Sequence, residues 1–531
     1  MAPSRRRTFT VDTTIFLLLL SFRILNAVTT RTFFQPDEYF QSLEPAWDLV
    51  FGNGWLTWEW HHQLRSIAHP LLFAGLYKLV AVLPISPATM ESLLAVSPKL
   101  LQAFFATYGD FATAKLAGRL YGPGAGWTAL WLSIGSAWNW FCSTRTFSNS
   151  LETVLTALAL SLWPWEDVVM GSNGGKGVLR GYWRSLGLAA VACVLRPTGV
   201  VFWGVLGAFR IIHLKGIARK VKLMVLAAIT GCAVFGVNAL LDNWYYGVWT
   251  FPPITFLRFN LLHNLSVFYG GNPWHYYLSQ GFPLLLTSYL PITSFALFSA
   301  LLASAYRSAS FQLATTVTTV TILYSTIDHK EVRFLYPLLP VLHVLLARTL
   351  HSGFEKPLRK KVLLGMVLLN APIALYASLF HQRGVVDVVS YLAAENATDV
   401  GFLMPCHSTP WGANVGRSVS PGWWALGCEP PVGLTEEERT GYLDEADVFY
   451  QHPEAWLWSN MAAGIKEPER LVIFQQLEGT IAKVWGDGSD GETGYRACWR
   501  GFNSHVHDDW RRKGDVVVFC KTAPAQGGEK A

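Results

Sequence analysis

The chain has 531 residues, 51% of them hydrophobic and only 15% charged, against roughly one quarter charged in ordinary soluble proteins. This balance points to a lipid environment, and the abundant Trp, Tyr and Phe suit rings that anchor helices at both headgroup layers. Lys and Arg exceed Asp and Glu by 42 to 36, spread among loops without a basic block, so a nucleic-acid partner is excluded.

In chain order, Arg5-Arg6-Arg7 precedes an apolar run at 13–28 with no convincing small-residue cleavage site, which reads as a signal anchor. The next stretch is Phe33-Phe34-Gln35-Pro36-Asp37-Glu38-Tyr39-Phe40-Gln41. Pro36 biases Gln35 away from helical geometry and suits a helical first turn, so a helix is expected from Asp37 and Glu38 through Leu43 and Glu44. Acidic residues in a first turn also favour a helix N-terminus electrostatically, a purely structural account of the pair.

Windows of about twenty apolar residues give further spans near 67–84, 97–118, 125–142, 150–164, 185–212, 223–240, 282–304, 309–326, 335–351 and 363–380. The excess of Lys and Arg on the cytosolic side assigns Arg5-Arg6-Arg7, the turn with Lys215, Arg219, Lys220 and Lys222, and the turn with Lys356, Arg359, Lys360 and Lys361 to the cytosol. Asp37 and Glu38 then face the opposite side, as does the polar tail from His381, together with the sequons at Asn264 and Asn396. Charges conflict between 85 and 184; a turn-back at 67–84 resolves them, sending Lys115, Arg119, Lys176, Arg180 and Arg184 to the cytosol and Arg145 to the lumenal side. Arg196-Pro197 inside 185–212 predicts two half-spanning helices meeting at a buried point. The Gly-rich 171–175 stretch lacks the Lys and Ser/Thr of a phosphate-cradling loop and reads as a linker.

Three clusters could carry chemistry besides the acidic pair. In Thr57-Trp58-Glu59-Trp60-His61-His62-Gln63-Leu64-Arg65, the histidines fit a solvated loop, whereas Arg65 enters an apolar span where it must meet a carboxylate or phosphate. In Ser143–Glu152, Arg145 and Glu152 bracket hydroxyls and Asn149, groups that could bond a sugar or cap a helix starting near Ser150. Asp328-His329-Lys330-Glu331-Val332-Arg333-Phe334 sets three potential cations and two acids between spans, a phosphate holder or an interfacial anchor. Asp110 and Arg196 share the cost of a charge at membrane depth, and a structural ion pair between helices is the simpler reading for Asp110.

The tail has strand-like runs at Val400–Met404, Val448–Tyr450, Leu471–Phe474 and Val516–Phe519, predicting a small α/β domain. Cys406, Cys428, Cys498 and Cys520 all lie in it, an even set that allows up to two disulfides of undetermined pairing in an oxidising compartment.

Gln35–Gln41, Leu56–Trp60, Arg65-Ser66 with His69-Pro70, Arg145–Asn149 and above all His329-Lys330-Glu331-Val332-Arg333-Phe334 resemble glycosyltransferase family 22. The resemblance spans nearly the whole chain. It implies an endoplasmic-reticulum, multipass α-helical membrane protein with the GT-C glycosyltransferase fold at 1–381 and a lumenal C-terminal α/β domain at 382–531. Leu56-Thr57-Trp58-Glu59-Trp60, Met404–Pro410 and His507–Asp515 are similar to the members that add the third, α-1,2-linked mannose of glycosylphosphatidylinositol (GPI) anchors. The implied donor is dolichyl phosphate mannose and the implied acceptor the GPI precursor glycolipid, with the lipid bilayer as the other partner and neither cofactor nor obligatory metal. The implied sites are Asp37 or Glu38 as catalytic base; His329, Lys330 and Arg333, then Arg65 and Arg145, on the donor phosphate; and Trp58, Glu59, Asn149 and Glu152 on the acceptor. Alternatives are an α-mannosyltransferase acting on the dolichol-linked N-glycan precursor and a multipass lipid transporter.

Overall fold

A computed structural model describes residues 13–165, 176–262, 265–439, 441–461, 467–486 and 494–522. Arg5-Arg6-Arg7, the Gly-rich 171–175 stretch and Asn264 lie outside the described residues. The chain forms two compact units, each discontinuous in sequence: one of residues 1–29, 59–72 and 98–375, the other of 30–58, 73–97 and 376–531.

The first unit is helical. Each apolar window in it falls on helical structure, including Thr13–Thr29, Ser148–Leu162, Ile217–Tyr246, Leu290–Ala303, Ala309–Ser325 and Leu339–Gly353. Among the described residues, Ile217–Tyr246, Tyr277–Ala303, Val332–Gly353 and Lys356–Ala394 are long and apolar enough to cross a membrane, and shorter apolar helices accompany them. The expected break at Arg196-Pro197 is present: one helix ends at Leu195, Pro197–Gly199 makes a 3-10 turn, and the next helix begins at Val200. Proline forces it, since the preceding residue is pushed out of the helical region, and Arg196 has φ −139° and ψ 98°. Asp110 is in a structural ion pair. Its carboxylate accepts from Arg23 Nε at 2.7 Å and Nη2 at 2.8 Å, and from Ser133 Oγ at 2.6 Å, with both charged residues buried.

The second unit carries a five-stranded mixed sheet. Its strands are β1 (Asp399–Phe402), β2 (Gly422–Ala425), β3 (Arg470–Phe474), β4 (Tyr495–Gly501) and β5 (Val516–Lys521), in the order β2-β1-β3-β5-β4. β1 is parallel to β2 and β3, and β5 is antiparallel to β3 and β4. Three of the predicted runs are strands; Val448-Phe449-Tyr450 instead lies in the helix Glu445–Gln451, whose N-cap Asp444 accepts from the Asp447 amide at 2.6 Å. A three-residue apolar run has no period of its own, and the cap decides it. Phe449, Leu471, Ile473, Val517 and Ile481 are among the buried members of the core. The disulfides are Cys406–Cys428 and Cys498–Cys520, the latter joining neighbouring strands β4 and β5.

The segment 30–58 is built into the same unit as the tail. Arg31 and Phe33 amides donate to the Ser378 and Gln382 carbonyls, and Thr32 Oγ1 to the Ala377 carbonyl at 2.6 Å. Trp55 stacks on Trp411 with centroids 4.5 Å apart. Glu44 completes the junction: its two carboxylate oxygens accept from the Trp55 and Ala413 amides, each at 3.0 Å. Burial raises the Glu44 carboxyl to about 7, against the opposing pull of those two amides.

Candidate active site

Asp37 and Glu38 open a helical stretch, as the sequence predicts, but it runs beyond Glu44 to Phe51 and its second turn, Tyr39–Leu43, is π-helical. A π-turn inserts one extra residue into the helical ladder and is frequent at functional sites. Both acids are buried, at 7% and 2% exposure. Phe33 stacks on Tyr39 at 5.5 Å, and Phe40 packs on the His407 ring at 4.6 Å.

His407 has a left-handed φ of 55° and sits between the sulfurs of Cys406 and Cys428, its Nδ1 3.6 and 3.7 Å away. Burial lowers its imidazole to about 4; Asp37 pulls the other way and Arg512 adds to the lowering. A neutral ring thus stands in the field of Asp37. Cys406, His407 and Cys428 could converge on a cation, but the two sulfurs are bonded to each other, and thiolate is the ligating form of cysteine.

The basic cluster belongs to the helical unit and is organised by an acid. Glu331 accepts from Arg333 Nε and Nη2, both at 2.7 Å, and faces His329 Nε2 at 3.2 Å, while His329 Nδ1 reaches the Gly270 carbonyl at 2.8 Å. Burial disfavours the Glu331 carboxylate, yet Arg333 and His329 outweigh it and hold the acid well below its usual range. For His329 the burial penalty is likewise overcome by Glu331, and the imidazole is raised. Lys330 is placed differently. Its ammonium donates to the Asn272 carbonyl at 2.7 Å, and Asn272 Nδ2 donates back to the Lys330 carbonyl at 2.9 Å, so this lysine ties two loops together.

Beside the cluster lies a cavity lined by Arg196, Thr198, Phe256, Tyr277, Tyr324, His329 and Phe334, among others. The guanidinium groups of Arg196 and Arg333 lie 5.4 and 5.8 Å from the Phe334 ring centre. Arg196, a charge placed at a helix break, thus lines the cavity beside this cluster.

The remaining predicted residues divide. Arg65 meets a carboxylate: Glu59 Oε1 accepts from its Nη2 at 2.6 Å and Nε at 3.1 Å, which couples a donor-side candidate to an acceptor-side one. The Arg65 guanidinium also lies 5.4 Å from the Phe256 ring of the cavity. His61 and His62 are exposed, as a solvated loop requires, and Trp58 is buried. The Ser148–Leu162 helix starts before Ser150, without a side-chain cap; Ser150 Oγ donates instead to the Cys142 carbonyl at 2.7 Å, so the capping expectation fails. Glu152 on that helix lies against the 196–199 break, its Oε1 3.2 Å from where a Cβ on Gly199 would stand, and Asn149 Nδ2 approaches its Oε2 at 3.5 Å. Arg145 is buried, donates Nε to the Phe141 carbonyl at 2.8 Å and covers the Phe141 ring.

These features, a bundle of apolar helices with a mixed-sheet unit and charged clusters at the helix ends, define a GT-C glycosyltransferase fold. ArnT from Cupriavidus metallidurans, crystallised bound to undecaprenyl phosphate, is similar with a TM-score of 0.60 at 12% identity, over 95% of this chain and 97% of that one. By sequence, residues 14–414 match the Alg9-like mannosyltransferase family. The chain is 42% identical to GPI mannosyltransferase 3 of Yarrowia lipolytica, over 95% of this chain and 96% of that protein. It is 40% identical to the Aspergillus fumigatus protein of the same name (97% and 78%) and 34% identical to mannosyltransferase APTG1 of Arabidopsis thaliana (95% and 91%). The chain belongs to the Alg9-like mannosyltransferase family, and is a multipass membrane glycosyltransferase.

Proposed function

We propose that the chain transfers mannose from dolichyl phosphate mannose to the second mannose of the GPI precursor, forming an α-1,2 linkage with inversion at the lumenal face of the endoplasmic reticulum. The reading is carried by the His329–Phe334 cluster, in which Glu331 holds an imidazole and a guanidinium together at the edge of a cavity. Relatives named GPI mannosyltransferase 3 over nearly the full chain support the acceptor class.

Going from a β-linked lipid phosphate to an α-glycoside requires inversion, most simply by one in-line displacement. The bond from the sugar C1 to the phosphate oxygen breaks and its electron pair leaves with the lipid phosphate; the acceptor oxygen bonds to C1 and gives up its proton. Asp37 is assigned the proton, because a carboxylate must take it before a sugar hydroxyl becomes an adequate nucleophile. Glu38 orients the acceptor or substitutes for Asp37. His329 and Arg333 stabilise the leaving phosphate, fixed cations in a shielded site being well suited to developing negative charge, and Arg65 and Arg145 form a second tier. Lys330, whose ammonium also donates to the Asn272 carbonyl, is assigned to the same phosphate, while Trp58, Glu59, Asn149 and Glu152 are assigned to the acceptor.

The test uses purified full-length protein with labelled dolichyl phosphate mannose and a two-mannose GPI acceptor. The expected product carries one added mannose removable by an α-1,2-specific mannosidase, and Asp37→Asn should lower kcat by roughly 10³-fold while inserting normally. A product resistant to that mannosidase, or an Asp37→Asn enzyme with unchanged turnover, contradicts the assignment.

A further inference from the structure

The helix Lys356–Leu379 carries Lys356, Arg359, Lys360 and Lys361 at its start and then an exposed apolar face of Leu364, Leu368, Leu369, Ile373 and Leu375. At 1.5 Å per residue, Phe380 stands about 28 Å beyond Lys361, close to the thickness of a bilayer's hydrocarbon core. Tyr376 and Phe380 therefore mark the headgroup boundary of the leaflet in which this helix ends, the level where aromatic rings concentrate.

The loop after β4 is fastened to that boundary. His505 Nδ1 lies 3.1 Å from Tyr376 Oη, and the two rings are 5.8 Å apart. His381 Nδ1 lies 2.7 Å from Ser504 Oγ, and the Arg383 amide donates to the Asn503 carbonyl. Gly384 permits the closeness, since a Cβ there would stand 2.9 Å from the carbonyl oxygens of both Gly501 and Phe502. Thus anchored, the loop nonetheless exposes large apolar groups: Val506 at 67% and Phe502 at 40%, beside Phe380 at 45%. Such a patch in water would be a standing cost. Charge cannot explain it, because Asp508 and Asp509 nearly offset the Arg511, Arg512 and Lys513 that follow.

We infer that the 502–506 loop is a membrane-seated element, with Phe502 and Val506 buried in the lipid of the leaflet where the Lys356–Leu379 helix ends. The occupant of this surface is the bilayer itself. The loop pins the sheet unit to the membrane at a second point besides the helix that leads into it, so the unit keeps a fixed height above the lipid surface from which a glycolipid substrate must rise. This inference is independent of which sugar is transferred.

Full-length protein with Cys142, Cys193 and Cys232 replaced and both disulfides kept would carry single probes at V506C, F502C or, as a control in the same unit, K483C. Each is labelled with a polarity-sensitive fluorophore and reconstituted in phosphatidylcholine vesicles containing a shallow doxyl-labelled lipid. The emission of the V506C probe should be blue-shifted and quenched several-fold more than that of the K483C probe, and F502C should follow V506C if the latter does not fold. Two results overturn the inference: quenching at both loop positions no greater than at K483C, or a blue shift without quenching, which would mean that protein and not lipid covers the loop.

Discussion

Two charge clusters in the helical unit, one buried and one half-buried, are treated differently by the fold. Arg23 and Asp110 neutralise one another in a bidentate pair closed off by Ser133, Asn26 and the surrounding helices. The Glu331 cluster uses one acid to hold a guanidinium and an imidazole, and it does so beside a cavity that Arg196 and Phe334 also line. The first pair is complete in itself. The second sets the Arg333 guanidinium and the His329 imidazole beside a cavity, the arrangement on which the proposed stabilisation of a leaving phosphate rests. Pairing is shared by both; full burial marks the first and the adjoining cavity the second.

The largest effect expected from this contrast is on stability. Arg23→Met leaves Asp110 buried without its partner and should cost about 3–5 kcal/mol, read as a drop in thermal midpoint in detergent, whereas Arg23→Met with Asp110→Leu should recover much of the loss. The Glu331 cluster should behave in the opposite way: Arg333→Met should lower kcat/KM about 10²-fold, and adding Glu331→Gln should not restore it. If the second double variant regained activity, the cluster would be one more structural pair. The smallest effect concerns pH. His407 is held near 4 in the folded protein against 6.5 for an ordinary imidazole, so the unfolded chain binds the proton first and stability should fall as pH drops from 6.5 toward 4. Because the ring is only partly enclosed, roughly 1–2 kcal/mol is expected, and His407→Gln should flatten the thermal midpoint across that window.

Much of this architecture can be read without coordinates, for identifiable reasons. Spans are legible because a helix crossing lipid must be apolar along its length, and the break at Arg196-Pro197 because proline acts on its immediate neighbour. The His329–Phe334 motif is legible because charge beside membrane spans is costly. Long-range pairing is not: nothing local in 30–58 shows that Glu44 accepts the Ala413 amide or that Phe40 packs on His407. The same blindness hid the role of Asp242, whose carboxylate accepts from the Ile67 amide at 2.9 Å and from Ser66 Oγ at 2.9 Å. Lys330 shows the same limit, since its charge is visible in sequence but the carbonyl it donates to lies 58 residues away.

The most direct measurement is made in cells deprived of the protein and labelled with tritiated mannose. A GPI precursor with two mannoses should accumulate, and the wild-type chain, but not Asp37→Asn, should convert it to the three-mannose form. Accumulation of truncated dolichol-linked N-glycan precursors in its place, with GPI lipids of normal composition, would contradict the proposed function.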